Sequence, residues 1–272
     1  MPDVGNHLGS LIKKIGYAIT PPIVASGIRK IARPVKNWLT FQTFSDSDRN
    51  VRSDEYIQWL CGAVGGWLTP DNGNLRAFDY AVQRMPEKGA VVEVGSFLGL
   101  STNIIAYLTI KYKRTNPFFA CDPWRFEQTE RPVGGYFDGS TEVYRQYAKE
   151  VFKMNTSLFS ATRKPYTIEA YSERFFELWH LKSTVEDVFG RSITLGGSIS
   201  FAYIDGAHTY DAVKNDFAGV DQHLLPGGFI LFDDSADGLG FEGVTKAVKK
   251  IRNNPCYELV FKTPHDFFRK KS

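Results

Sequence analysis

The 272 residues carry 33 Lys and Arg against 30 Asp and Glu, a net charge of +3, too mild to argue for nucleic-acid binding. A hydrophobic content of 43% and a charged content of 23% are ordinary for a globular chain with a sizeable core, and the length fits one α/β domain with an N-terminal extension. Cys61, Cys121 and Cys256 are odd in number and widely spaced, which excludes metal-ligand spacing and argues against a disulfide framework; reduced, mostly buried thiols of a cytoplasmic protein are expected.

Residues 1–52 read as a basic amphipathic extension and linker. Ile15 to Ile28 is an uncharged apolar run broken by Pro21-Pro22, too short to span a bilayer. Lys13-Lys14 before it and Ala25-Ser26-Gly27 near its end faintly mimic a signal peptide, against which the double proline and polar lead-in weigh. Arg29, Lys30, Arg33 and Lys36 then alternate with Ile28, Ile31, Val35 and Trp38. Such a stretch either contacts an anionic membrane surface or docks on the domain or a second subunit, and docking is the favoured reading. Thr43 to Asp54 is a Ser- and Asp-rich linker.

Asp54 to Val64 and Asn74 to Met85 have helical apolar spacing, the second through Leu75, Phe78, Ala81 and Val82. Between them runs a loop, Gly66-Trp67-Leu68-Thr69-Pro70. After the turn Pro86 to Gly89 comes the stretch that organises the chain, Val91-Val92-Glu93-Val94-Gly95-Ser96-Phe97-Leu98-Gly99-Leu100-Ser101-Thr102. An apolar strand ends beside an acid, glycines allow a tight turn and close approach to a ligand, and Ser101 or Thr102 is expected to cap the next helix. The pattern Glu-x-Gly-x-x-x-Gly is not the Gly-x-Gly-x-x-Gly of dinucleotide enzymes. It resembles motif I of class I S-adenosylmethionine (SAM) methyltransferases, with Phe97 where a glycine is common. The bland alternative is a glycine-hinged turn packing a helix on a strand.

Phe118 to Asp122 is the second strand. A carboxylate at that strand end meets ribose hydroxyls in a doubly wound sheet, and Trp124 is placed to cover the adenine. Residues 123–164 are too long for an ordinary connection and read as a lid. It holds a loop from Arg131 to Ser140, a helix from Val143 to Phe152, and candidate substrate contacts Arg125, Arg131, Tyr136 and Arg145. Tyr166 to Ile168 is the third strand, Ser172 a cap for a helix to Leu181, and Thr184 to Gly197 a connector with a short helical piece.

Phe201 to Asp205 is a strand followed by Gly206-Ala207-His208-Thr209-Tyr210, with Thr209 as a helix cap and Val213, Phe217, Val220 and Leu224 on one helix face. Leu225 to Gly228 should end that helix, and Phe229 to Phe232 form a strand ending in Asp233-Asp234. If the two strands are neighbours, Asp205, Asp233 and Asp234 converge. Close carboxylates repel, so an all-oxygen site for Mg²⁺ or another hard divalent cation is expected. His208 suits a general base, with Asp205 as the alternative base and a purely structural histidine as the bland one. Val244, Ala247, Val248 and Ile251 make a last helix face, Tyr257, Leu259 and Phe261 a strand, and His265 a turn.

This constellation over residues 60–270 resembles the metal-dependent sugar O-methyltransferases of antibiotic biosynthesis, the macrocin and novobiocin type of methyltransferase family 24. The resemblance implies a Rossmann-like α/β three-layer sandwich over residues 53–272, with a seven-stranded mostly parallel sheet and an antiparallel last strand. It assigns SAM to Glu93, Gly95, Ser96, Gly99 and Ser101 with Asp122 and Trp124, and the ion to Asp205, Asp233 and Asp234; it also implies that the loop Gly66 to Pro70 lies beside the cofactor, the other reading of that loop being a connector with a packed Trp. The implied partner is a small-molecule hydroxyl acceptor, a sugar or natural-product scaffold, and a homo-oligomer is expected. Two other readings stay open: a non-catalytic SAM-fold binding module, and a nucleotide-dependent oxidoreductase on a similar sheet.

Overall fold

The computed structural model describes residues 54–68, 73–125, 141–262 and 264–272. The extension 1–52, most of the linker, Thr69-Pro70 and the lid loop with Arg131 and Tyr136 lie outside them. Residues 44–237 and 241–272 group as one compact unit, distinct from 1–43 with 238–240, and the first is described below. Among the described residues no helix is long and apolar enough to cross a membrane.

Seven strands form the main sheet: β1 (Ala90–Val94), β2 (Phe118–Cys121), β3 (Tyr166–Ile168), β6 (Ile199–Ile204), β7 (Leu224–Phe232), β8 (Tyr257–Lys262) and β9 (Asp266–Lys270). Their order is β3-β2-β1-β6-β7-β9-β8. The first five are parallel, and β9, last in the chain, runs antiparallel to both β7 and β8. The two central strands are buried throughout, as a sheet covered on both faces demands.

Strand periodicity sorts the two cores. Val91, Phe201 and Tyr203 face α1 (Glu55–Ala63), α2 (Asn74–Arg84) and α3 (Leu100–Lys111). Val92, Val94, Ala202 and Ile204 face α5 (Ser172–His180), α6 (Tyr210–Asp221) and α7 (Glu242–Arg252). Glu93 and Asp205 therefore continue the rows of Val91 and Tyr203, toward α2 and α3. Helix α4 (Thr141–Phe159) packs Ala148 and Phe152 against Leu98 and Trp124 in a third, smaller cluster.

Several local expectations are corrected. Thr184 to Gly197 holds an antiparallel hairpin, β4 (Thr184–Glu186) with β5 (Ser192–Thr194). Its turn is tied by Asp187, which accepts from the Phe189 and Arg191 amides at 3.0 and 2.8 Å; β-branched residues flanking an Asp turn favour this over helix. Leu225 to Gly228 lies inside β7, as an irregularity between the pairs Ile199–Leu224 and Phe201–Phe229. Neither Ser101 nor Thr102 caps α3, which begins at left-handed Gly99. The N-cap of α5 is Tyr171, not Ser172. The helix expected from Val143 to Phe152 extends over all of Thr141–Phe159. His265 lies, as expected, in the bend between β8 and β9, and it is buried there.

Gly95 decides how the sheet ends. Its φ is +84°, and a Cβ there would lie 2.0 Å from the Asp205 carbonyl oxygen. The chain leaving β1 crosses the chain leaving β6 with no room for a side chain. Gly95→Ala should therefore cost about 3 kcal/mol or more, combining strain with a backbone clash. Gly190→Ala, at φ +75° with nothing within 4 Å, should cost only about 1 kcal/mol. Urea denaturation of both variants checks this; equal costs would contradict it.

Candidate active site

The strand order reverses between β1 and β6, and a ligand crevice is expected outside the strand ends at such a reversal. The close approach that Gly95 permits is to the Asp205 main chain, reinforced by the Asp205 amide donating to the Val94 carbonyl at 2.8 Å. The loop after β1 and the acid after β6 thus share one rim.

Glu93 is wholly buried on the α3 side. It accepts from Ser101 Oγ at 2.5 Å, Thr102 Oγ1 at 2.5 Å and Ser96 Oγ at 3.2 Å. The hydroxyls expected to cap α3 instead lock the acid to the helix start. Asp122 takes the loop's other side: its Oδ2 accepts from the Ser96 and Phe97 amides at 2.7 and 2.8 Å, and its Oδ1 from the Trp124 amide at 2.6 Å. The carboxylate sequence reasoning aimed at a ribose spends these acceptor positions on holding the loop. Trp124 is fully buried, donates its indole N–H to the Phe97 carbonyl at 2.8 Å and packs on Phe152 of α4. An adenine contact by that ring would require α4 to move. Gly99 starts α3 with no side-chain cap. An uncapped helix start beside a glycine loop suits an anionic carboxylate, and this fits the amino-acid end of SAM.

Arg145, a candidate substrate contact, is engaged elsewhere. It pairs with Glu142 at 2.8 Å and with Glu169, and donates to the Pro123 carbonyl at 3.2 Å. Lys149 joins it on Glu169 at 2.5 Å. Helix α4 is thereby tied to the ends of β2 and β3.

On the other side of the crossing stand the remaining acids. Asp205, His208 and Asp234 each bring one ligand atom within 4.8 Å of the others. His208 Nε2 lies 3.0 Å from Asp234 Oδ2, and the imidazole packs 4.5 Å from the Phe241 ring. Burial raises the Asp205 pKa well above the carboxylate range, and the charges of Asp233 and Asp234 push it further. A cation beside Asp205 would relieve that repulsion, so this donor set fits a divalent ion held by Asp205 and Asp234. Asp233 is turned to different partners: the Tyr203 hydroxyl, Asn74 Nδ2 at 3.0 Å and His265 Nε2 at 3.0 Å. Burial alone would raise its pKa, but the His265, Tyr203 and Asn74 contacts outweigh this and hold it well below the usual range.

Sequence reasoning missed that second set of residues. Tyr203 lies two residues before Asp205, hence on the same face, and its hydroxyl is 3.1 Å from Asp205 Oδ2. Asn74 is a buried polar residue opening α2. His265 is placed by its neighbour Asp266, whose fully buried carboxylate is gripped by Arg252 of α7 at 2.6 and 2.8 Å. The alternation reading could have found Tyr203; the other two depend on distant elements meeting.

Burial raises Glu93 from its ordinary 4.5 to about 7 even though Ser101, Thr102 and Ser96 all donate to it. Its protonated form is the one the fold favours. The stabilising contribution is complete below about pH 4.5 and is lost as pH rises through about 7. Between pH 5 and 8 it amounts to at most about 3 kcal/mol. Asp216, raised to about 7 by burial, adds a separate loss of the same sign. Glu93→Gln should flatten part of the fall in melting temperature over that range; a pH profile identical to the parent's would contradict the assignment.

The sequence model of a family described as "Methyltransferase domain", methyltransferase family 24, matches residues 92–235, more than half of the chain. Among solved structures, the calicheamicin methyltransferase CalS11 aligns with a TM-score of 0.52 at 17% identity, over 84% of this chain and 95% of that one. An apo structure of CalS11, described as a TDP-rhamnose 3'-O-methyltransferase, gives 0.50 at 17% identity over 84% and 97%. At that identity the likeness is one of fold. Protein R132 of Acanthamoeba polyphaga mimivirus, itself uncharacterised, is 39% identical over 74 residues, 26% of this chain and 34% of that protein, so the match spans about a third of that relative's length. With a glycine loop, an uncapped helix start and an acidic rim on this sheet, the chain belongs to the methyltransferase-domain family.

Proposed function

We propose that the chain transfers the SAM methyl group to a hydroxyl of a small molecule, a sugar or natural-product scaffold, assisted by Mg²⁺ or another hard divalent cation. The observation that carries this reading is the meeting of Asp205, His208 and Asp234 within 4.8 Å, beside the Gly95 crossing. The hydroxyl acceptor takes support from the Asp205-Gly206-Ala207-His208 pattern and from the sugar acceptor named for the fold neighbour CalS11.

When bound, SAM supplies an electrophilic methyl on a sulfonium, and a divalent ion supplies a Lewis acid that lowers the hydroxyl pKa. Asp205 and Asp234 would hold the ion. His208 Nε2 lies 3.0 Å from Asp234 Oδ2; an Nε2–H tautomer held there would leave the Nδ1 lone pair to accept the hydroxyl proton. The Phe241 ring beside His208 restricts rotation of the imidazole. Asp233, held by Tyr203, Asn74 and His265, fixes the chain entering Asp234, whose φ of 52° is unusual for a non-glycine residue. No covalent enzyme intermediate is required, so orientation and exclusion of water carry the rate.

Turnover on a panel of sugar and phenolic hydroxyls, read as release of S-adenosylhomocysteine (SAH), checks the roles. Asp205→Asn and His208→Gln should each lose about 10²-fold or more while SAH affinity stays within about threefold. Excess chelator should abolish turnover and added Mg²⁺ restore it. Turnover unaffected by chelator would remove the ion from the mechanism.

A further inference from the structure

Phe97 sits in the middle of the loop after β1 with φ 45°, in the left-handed region that side chains avoid. Three hydrogen bonds keep this stretch there. The Ser96 and Phe97 amides share Asp122 Oδ2 at 2.7 and 2.8 Å, and the Trp124 indole donates to the Phe97 carbonyl at 2.8 Å. Backbone held this firmly against its preference marks a position where the side chain's direction matters.

That side chain meets Trp67. The two rings stack at 5.4 Å with an interplanar angle of 17°. Trp67 is 69% exposed, so most of the largest apolar side chain stands in water on the cofactor loop. Its placement is built into the chain before it. A Cβ on Gly65 would lie 2.7 Å from Leu98 Cδ1, and one on Gly66 would lie 3.1 Å from Leu100 Cδ2. Two consecutive glycines thus lay this segment directly on the loop and the start of α3, and the next residue is the tryptophan. An exposed large apolar group fixed in this way is informative where a scattered one is not.

We propose that Trp67, stacked on Phe97, is a cofactor-binding residue whose open π face covers SAM bound against the Gly95–Gly99 loop. SAM carries a flat adenine and a sulfonium cation, and both chemistries are attracted to an indole face. The inference rests on the methyltransferase reading of this loop. It adds a residue from outside the matched segment 92–235, on the flap between α1 and α2.

Titration of the full chain with SAH, by calorimetry and by tryptophan emission, tests it without any acceptor or metal. Trp67→Ala should weaken SAH binding at least tenfold, and Trp67→Phe should stay within about threefold of the parent. Trp67→Phe should also lose the emission change that SAH causes in the parent. Melting temperatures without SAH should be little changed, since the indole is exposed. Parent-like SAH affinity in Trp67→Ala would overturn the proposal while leaving the methyltransferase reading intact. Failure of the parent itself to bind SAH would overturn both.

Discussion

Two chain ends touch with no side chain between them, and the rest of the site depends on that contact. At Gly95 the path out of β1 presses on the carbonyl of Asp205 at the end of β6. The loop that suits an amino-acid-bearing nucleotide is thereby fixed beside the first acid of the rim. Because β7 pairs with β6 in parallel register, Asp233 and Asp234 arrive at the same level. The hydrogen bond from the Asp233 amide to the Ile204 carbonyl at 2.9 Å continues the ladder to this point.

Two buried carboxylates then hold the loop from opposite sides. Glu93 gathers hydroxyls from the loop and the first turn of α3; Asp122 gathers loop amides. The two are not equivalent. Amide N–H groups are committed donors, whereas hydroxyls rotate and also accept. Glu93 can therefore hold its neighbours while protonated, whereas Asp122 needs its ionised form to accept from all three amides. Burial raises both pKa values, so the loop's order is coupled to pH through its own supports.

The fold was legible because its central strands are apolar runs ending in acids and its helices repeat at helical spacing. Glu93, Gly95, Asp205 and Asp234 all fall at strand ends, where a parallel sheet exposes its ligand-binding edge. What local patterns did not reveal is which way each acid points. Asp122 and Asp233 are chemically indistinguishable from Asp205 in the sequence. Their directions are set by partners 25 to 159 residues away, the Phe97 amide and Asn74 among them. His265 shows the same limit: a Pro-His-Asp turn is legible, but not that Arg252 draws Asp266, and with it His265, into the interior. Likewise the sequence leaves Trp67 either beside the cofactor, as the family resemblance implies, or packed in a connector; that the glycines before it lie on Leu98 and Leu100 is visible only in the structure.

In the proposed function one crevice, between the glycine loop and the acids after β6 and β7, takes both the methyl donor and the ion. A crystal structure with SAH and Mn²⁺, located by its anomalous signal, tests this most directly. SAH is expected against residues 95–99 and the manganese within coordination distance of Asp205 and Asp234. Manganese elsewhere, or SAH bound away from the Gly95 crossing, would contradict it.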